Sequence, residues 1–393
     1  MAPKIVVVGG AFGGLACLHH LCNLTSSEDC ELLLIEPREY FEYTPGVLHS
    51  FVRPERHQRL IFDYDQLPRR IQHIQAYLKA VNTDKKQLQL ETVQANGTSS
   101  EACLDYDFLV LATGFVDYSD AIIMPRAHTV IGRQQIVEAR KPLSFSMACM
   151  LVTHLTLEHL LTEMPPRART MAEDWLRQHG CHLHCNSRAR LDGIETLPDG
   201  RMRLPLEQNK DLTFDLVLVC TGGRKVLPEY AKNSPALLAA ASSYGSLRVN
   251  QHFQLLEADN IYACGDICEH PGLAVRTAQM ANWGGMAVAQ HMAEQLTLSS
   301  SWCSVRQHHA WPTFLGHEPS NWSRVYIVSL GAHQGIVIMQ DTVMPTTAGL
   351  YMGGFGKWFI ERTKVMESRG DCFGTCLWQI GDSIAACLRP LGF

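Results

Sequence analysis

Long apolar runs are missing from this 393-residue sequence: no uninterrupted stretch reaches the ~18 residues that suggest a membrane-spanning helix. Charge is sparse as well, at 19% of residues with a formal net charge of −5 and no long basic run. That excludes a general nucleic-acid role, because phosphate binding needs a concentrated positive face. The 46% apolar content excludes disorder. Ala2 stands where N-myristoylation needs glycine, and no prenylation motif ends the chain. An export signal is also lacking. Lys4 and the apolar run after it imitate one, but Gly9, Gly10, Gly13 and Gly14 break the run. A cytoplasmic location is therefore expected. Cysteine is not scarce, at 14, but the residues are scattered, and without export they are expected as reduced thiols. The length suits about two or three domains with a large buried core.

The stretch "KIVVVGGAFGGLACLHHL" (residues 4–21) supplies the first positive signal. Ile5, Val6, Val7 and Val8 are β-branched, as in a buried parallel strand. A glycine fingerprint follows on Gly9, Ala11 and Gly14, with Gly10, Phe12 and Gly13 beside them. Its first glycine makes a tight turn, its middle position lets a pyrophosphate approach the backbone, and its third lets helix and strand pack closely. Ala11 in the middle departs from the pattern. The helix beginning near Gly13 offers free N–H groups and a positive dipole end to phosphates. A second strand, "CELLLIE", ends at Glu36, an acidic residue suited to accept hydrogen bonds from an adenosine ribose.

Three further segments decide which dinucleotide is expected. "YDFLVLATG" (106–114) is a buried strand ending in a Thr113–Gly114 turn, and "FDLVLVCTGG" (214–223) repeats that pattern. "NIYACGD" (260–266) is a strand ending in Gly265–Asp266, and "VRTAQMANWGGMAVAQHM" (275–292) reads as a helix. In this order the set resembles the FAD-dependent pyridine nucleotide-disulfide oxidoreductase superfamily. Within it the chain is most similar to the type II NADH dehydrogenases and the ferroptosis-suppressor (apoptosis-inducing-factor-like) flavoproteins. "EPREYFEYTPGVLHSFVRPE" (36–55) and "TAQMA" (277–281) carry much of the resemblance, which covers most of residues 1–292.

The resemblance implies non-covalent FAD. Gly9 to Gly14 would cradle its pyrophosphate and Glu36 its adenosine ribose. His49 sits where relatives often place a basic residue near the cofactor, with a satisfied surface histidine as its competing role, and Leu78 where strand main chain frames the adenine. Thr113 and Gly114 would turn against the cofactor. Asp266 would bond the ribityl chain or a phosphate-side hydroxyl, although a helix N-cap is its competing role. Thr277, Ala278 and Gln279 would start a helix aimed at the isoalloxazine, whose positive end favours negative charge on the reduced ring. The resemblance further implies hydride transfer from NAD(P)H to FAD and electrons passed to a quinone-like acceptor. No side chain stands out as an acid or base, so the catalytic residue is unassigned.

A second glycine loop, for NAD(P)H, is absent. After Gly132 no glycine occurs until Gly180, and only glycine readily gives the turn and close approach that such a loop needs. Residues 150–185 still resemble the later strand, helix and strand of a nicotinamide domain, with Glu158 a weak mimic of its ribose-binding acid. The rival reading is thus a flavin-binding protein without NAD(P)H turnover, acting by interaction or with another electron donor.

Cys17 and Cys22 have the C-x₄-C spacing of a redox disulfide but lie on the wrong helix for one. "CHLHC" (181–185) lacks a second ligand cluster at zinc spacing and is expected as a strand, with no metal site. Cys264, Cys268, Cys372 and Cys376 read as packing residues, with Cys264 retained as a candidate because sulfide-oxidising relatives need reactive cysteines near the flavin. Phe373, Cys376, Leu377, Ile380, Ile384 and Cys387 form one helical stripe, which either packs in the core or rests on a membrane surface. The expected fold is α/β: a Rossmann-like FAD domain (1–127 and 248–304), an incomplete NAD(P)-type domain (128–247) and a C-terminal α+β appendage (305–393). The oligomeric state is left open.

Overall fold

The structure is a computed structural model that describes residues 2–46, 54–93, 99–114, 116–117, 150–152, 160–162, 164–207, 211–214, 225–256, 258–273, 276–299, 325–331, 333–339, 342–344 and 346–387. Strand β1 (Lys4–Val8) leads into helix α1 (Phe12–Leu24) and returns in β2 (Glu31–Ile35), parallel to β1 in register Ile5↔Leu32 to Val8↔Ile35. Ile5 to Val8 are buried because β1 lies inside a six-stranded sheet with neighbours on both sides, where a strand covered on both faces reads as a continuous apolar run.

A short antiparallel pair, β3 (Tyr40–Glu42) and β4 (Ile61–Asp63), follows, then β5 (Ile71–Ile74), which joins the large sheet beside β2. Strands β6 (Ala76–Asn82), β7 (Gln87–Val93) and β8 (Ser99–Asp105) form a separate antiparallel sheet. The chain then re-enters the large sheet as β9 (Phe108–Leu111). β10 (Val116–Asp117) pairs antiparallel with a strand far along the chain, Lys225–Val226. β11 (Met150–Val152) and β12 (His182–His184) are parallel and are linked through α2 (Pro166–Gln178). The predicted strand at 181–185 is thus present. The segments 118–149 and 153–159, with Glu158, lie outside the described residues, as do residues 215–224.

Beyond a small antiparallel sheet over residues 195–214 come α3 (Glu229–Lys232) and α4 (Pro235–Ala239). The large sheet is completed by Gln254–Leu255 and Ala258–Ala263, giving, by first residues, the order 254, 258, 108, 4, 31, 71. All its pairings are parallel except that of the edge strand Gln254–Leu255. Helix α5 (Ala278–Ser299) lies against α1 at backbone distance: a Cβ on Gly285 would stand 2.0 Å from the Gly13 carbonyl oxygen.

The C-terminal part holds an antiparallel sheet, Val325–Leu330 with Gln334–Met339 and Thr342–Val343, and two helices, α6 (Thr346–Arg369) and α7 (Cys372–Cys387). Ala168, Met171 and Ala172 of α2 share a core with Leu330, Ile336, Ile338 and Val343 of that sheet. Among its described side chains the predicted stripe on α7 is mostly exposed, with Leu377 half-buried. Phe373 and Ile380 are 63% and 55% exposed and Cys376 is exposed. Gly374 packs against α6, its added Cβ lying 2.4 Å from the Met366 Cβ. The side chains of Ile384 and Cys387 lie outside the described residues.

Candidate functional site

A cavity of about 1230 Å³ opens at the carboxyl ends of the parallel strands, the edge at which open α/β sheets bind ligands. Gly9 follows β1, Glu36 follows β2, Ala112 and Thr113 follow β9, and Gly265 and Asp266 follow Ala258–Ala263; all line it. Strand order sets Glu36 on one side of β1 and Asp266 on the other.

The glycine loop is tight for definite reasons. Gly9 has φ +105, and a Cβ there would lie 2.4 Å from the Ala112 carbonyl oxygen. Gly14 does not line the cavity. Its role is packing, since a Cβ would stand 1.9 Å from the Gly9 carbonyl oxygen. Ala11, the departure from the glycine pattern, sits at φ −92, which alanine adopts without strain. It caps α1 without a side-chain hydrogen bond, so the first turn of α1, with Phe12 and Gly13 on the cavity wall, keeps N–H groups for a ligand. Gly10 lies behind the wall and is clamped from both sides: its N–H donates to Glu36 Oε2 at 2.8 Å, and the Tyr64 hydroxyl donates to its carbonyl at 2.7 Å.

Glu36 is only 5% exposed. Its Oε1 accepts the Arg38 backbone N–H at 3.2 Å and Nε at 2.8 Å, and its Oε2 accepts Arg38 Nη2 at 3.3 Å. Burial pushes this carboxyl up, but the Arg38 guanidinium and the Gly10 N–H outweigh it and hold it below the usual range. Asp266 differs. It is half-buried, burial raises its pKa, and it has no hydrogen-bond partner among the described residues. It does not cap the long helix. Thr277 does, accepting the Met280 N–H on its hydroxyl at 3.2 Å.

Leu78 lines the cavity together with Ala76, Tyr77 and Lys79, and the register of its strand shifts between Leu78 and Ala80; such a bulge re-aims the chain. Thr113, Gly114, Thr277 and Ala278 also line the cavity, whereas Gln279 is half-buried outside the lining. His49 lies outside the described residues.

Four contributors had no clear signal in the sequence. The Tyr230 hydroxyl shares a 2.8 Å hydrogen bond with Thr113 Oγ1. Tyr64, Tyr230 and Lys232 come from segments remote from the glycine loop. Arg38 could have been found as a cation two residues past the acid that ends β2. Among the described residues the cysteines closest in sequence to the site are free thiols. Cys17, Cys264 and Cys268 are buried free thiols, and burial pushes all three well up, which leaves little thiolate.

The C-terminal helices dock on α5 through Lys364. This buried ammonium donates to Asn282 of α5, pairs with Glu367 at 2.5 Å and stands 4.9 Å from the Trp378 ring centre. Helix α6 has its polarity inverted: Thr363, Lys364 and Ser368 are buried, while Tyr351, Met352, Phe355 and Trp358 are exposed. Among the described residues no helix is long and apolar enough to cross a membrane, and no group of His, Cys, Asp or Glu is arranged to hold a metal.

Comparison with known proteins agrees with this geometry. The human (Homo sapiens) ferroptosis suppressor protein 1 is 24% identical over 313 residues, which covers 72% of this chain and 78% of that protein. The sulfide:quinone oxidoreductase of Aquifex aeolicus superposes with a TM-score of 0.70 at 15% identity, covering 94% of this chain and 92% of that one. NDH2 of Plasmodium falciparum superposes with a TM-score of 0.69 at 12% identity, covering 95% and 97%. The family model for pyridine nucleotide-disulphide oxidoreductases matches residues 3–141 and 144–285. With a parallel sheet, a glycine-turned first strand and a cavity across the strand ends that carry Glu36 and Asp266, the chain belongs to the pyridine nucleotide-disulphide oxidoreductase family and is an oxidoreductase of that class.

Proposed function

We propose that this protein holds FAD non-covalently in the strand-end cavity and uses it to carry electrons from NAD(P)H to a quinone-like acceptor. The observation that carries the cofactor assignment is Asp266, a half-buried carboxyl without a partner among the described residues, in the same cavity as the uncapped first turn of α1. A half-buried carboxyl with open acceptor positions facing the cavity suits a ligand hydroxyl. The donor set suits FAD throughout. The first turn of α1 and the Gly9 turn would hold the pyrophosphate, Glu36 the adenosine ribose, the main chain at Leu78 the adenine edge, and Asp266 the ribityl hydroxyls. Thr113, Gly114 and Thr277–Ala278 would border the flavin, with the N-terminal end of α5 favouring negative charge there. FAD, when bound, supplies the two-electron carrier. The chain supplies position, dryness and field.

A quinone-like acceptor fits better than sulfide chemistry, because Cys264, the thiol nearest the site in sequence, is fully buried with its thiol pushed well up. The exposed apolar face of α6, with Phe373 and Ile380 on α7, is of the right chemistry to rest on a membrane surface where a lipid-soluble acceptor dissolves. The missing second glycine loop favours a second reading, in which NAD(P)H is held weakly and another donor serves. Purified protein given NADH and a soluble quinone tests the two: sustained quinone-dependent NADH oxidation supports the first, and its absence in flavin-loaded protein supports the second.

A further inference from the structure

Glu36 lies almost out of solvent, and its carboxylate already has the four acceptor positions of an ionised carboxylate filled. Three of the four bonds come from one residue, Arg38. They are unequal. Oε1 is held twice, by the Arg38 backbone N–H and Nε, whereas on Oε2 the Gly10 N–H is close at 2.8 Å and Arg38 Nη2 is distant at 3.3 Å. A ribose hydroxyl reaching Glu36 has one position it can take at little cost, that of the long Nη2 bond. Arg38 lines the cavity and its side chain is 42% exposed, so the freed Nη2 has room to turn toward the ligand.

We propose that Arg38 is the positioning residue that sets the cavity's preference for an adenine dinucleotide: it fixes Glu36 by Oε1, yields Oε2 to the ribose, and offsets the charge of a buried carboxylate facing an anionic ligand. This rests on the assignment of FAD to the cavity. The charge balance is local. Glu42 from β3 and Tyr64 after β4 face Arg38, and Tyr40 from β3 faces Tyr64; His73 from β5 bonds the Glu36 backbone carbonyl at 2.9 Å, and His57 occupies Glu42 at 2.8 Å. Arg38 is the cation the structure sets on the Glu36 carboxylate itself. Without its guanidinium a nearly buried negative charge would meet a ligand that carries two phosphates, and only the backbone N–H groups of Gly10 and residue 38 would orient the carboxylate.

FAD and FMN are titrated onto apoprotein of wild type, Arg38→Ala, Arg38→Lys and Glu36→Gln across acidic to neutral pH, with flavin fluorescence as the readout. A mononucleotide flavin ends short of Glu36, so FMN affinity is expected to change less than about twofold in every variant. FAD affinity at neutral pH should fall about tenfold to a hundredfold in Arg38→Ala, the size of a lost charge-assisted contact. The profile should move too. Glu36 binds ribose as the carboxylate, so FAD affinity holds above its depressed pKa and falls as pH drops through it. Arg38→Ala leaves burial opposed by the two backbone N–H groups alone and moves that fall to higher pH, Arg38→Lys returns it part of the way, and Glu36→Gln removes it. Equal losses for FAD and FMN, unchanged FAD affinity, or an unmoved profile in Arg38→Ala would overturn the proposal. Wild type that binds no FAD would overturn the cofactor assignment itself, and the proposal with it.

Discussion

Replacing Gly14 by alanine is the sharpest perturbation of the nucleotide loop, and Gly13→Ala is its built-in control. A Cβ on Gly14 would stand 1.9 Å from the Gly9 carbonyl oxygen and 3.2 Å from Val7 Cγ1. Real Cβ atoms do not approach within 3.0 Å, so the start of α1 must move away from β1 by about 1 Å. The obstacle is backbone and cannot rotate aside. Overpacking of this kind costs about 1–3 kcal/mol, occasionally more, which lowers Tm by roughly 2–10 °C in a large domain. The same shift displaces the first-turn N–H groups from where the proposed FAD pyrophosphate would sit. Losing one charge-assisted bond, worth about 1.5–3 kcal/mol, weakens FAD roughly tenfold to a hundredfold. A Cβ on Gly13 meets Cys264 Sγ at 3.1 Å and the Ala281 carbonyl at 3.2 Å, which adjustments of a few tenths of an ångström relieve. Thermal melting and flavin content of the two purified variants give the comparison. Equal stability and equal flavin in Gly14→Ala and Gly13→Ala would refute the close-approach argument.

The other expectations are independent of that loop. Arg70 donates to the Cys22 carbonyl at 3.2 Å, the Thr25 carbonyl at 2.5 Å and Thr25 Oγ1 at 2.7 Å, closing the end of α1; Arg70→Ala should cost about 1–3 kcal/mol in urea unfolding, and an unchanged midpoint would contradict this. Asp266 has a raised pKa, so in the apoprotein its contribution is fully present below the unfolded-state value and is lost as pH rises through the raised value; Asp266→Asn should therefore raise the apoprotein urea midpoint at neutral pH while FAD is retained less well. Serine at both Phe355 and Trp358, 59% and 55% exposed, should abolish flotation with liposomes at unchanged Tm; flotation that persists removes α6 from the membrane argument. NADH at sub-millimolar concentration should bleach the flavin far more slowly than dithionite in stopped flow, because a nicotinamide must be held within about 3–3.5 Å of the ring and the second phosphate loop is missing; rapid bleaching would mean another surface anchors the nucleotide.

The strand, glycine turn and helix at residues 4–24 were legible because their constraints are local. Strand, turn and helix are contiguous, so β-branched residues at 5–8, glycines at 9 and 14, and an acid at 36 define the unit without tertiary information. Asp266 and Thr277 were legible for the same reason, each marking the end of a strand or the start of a helix. Tyr64 and Tyr230 were not, because they reach Gly10 and Thr113 from 54 and 117 residues away, and a lone tyrosine carries no sign of its partner. The roles within the fingerprint also needed coordinates: Gly10 and Gly14 hold the loop from behind, and Ala11 is harmless because its φ is negative. Periodicity located the stripe on α7 but not the side it faces, since a 3.6-residue repeat is the same for a core and for an exposed face. On α6 the inversion of buried Lys364 and exposed Trp358 follows from the contact of Lys364 with Asn282 and Glu367, a tertiary relation that no periodic pattern encodes.

The central claim is that the strand-end cavity is an FAD site built from Gly9, Glu36 and Asp266. The most direct test is the absorbance spectrum of the purified protein with identification of the flavin that acid releases. The account predicts a flavin spectrum, FAD and not FMN in the supernatant, and reconstitution of stripped protein to one FAD per chain. Colourless, folded protein that takes up no added FAD would contradict it.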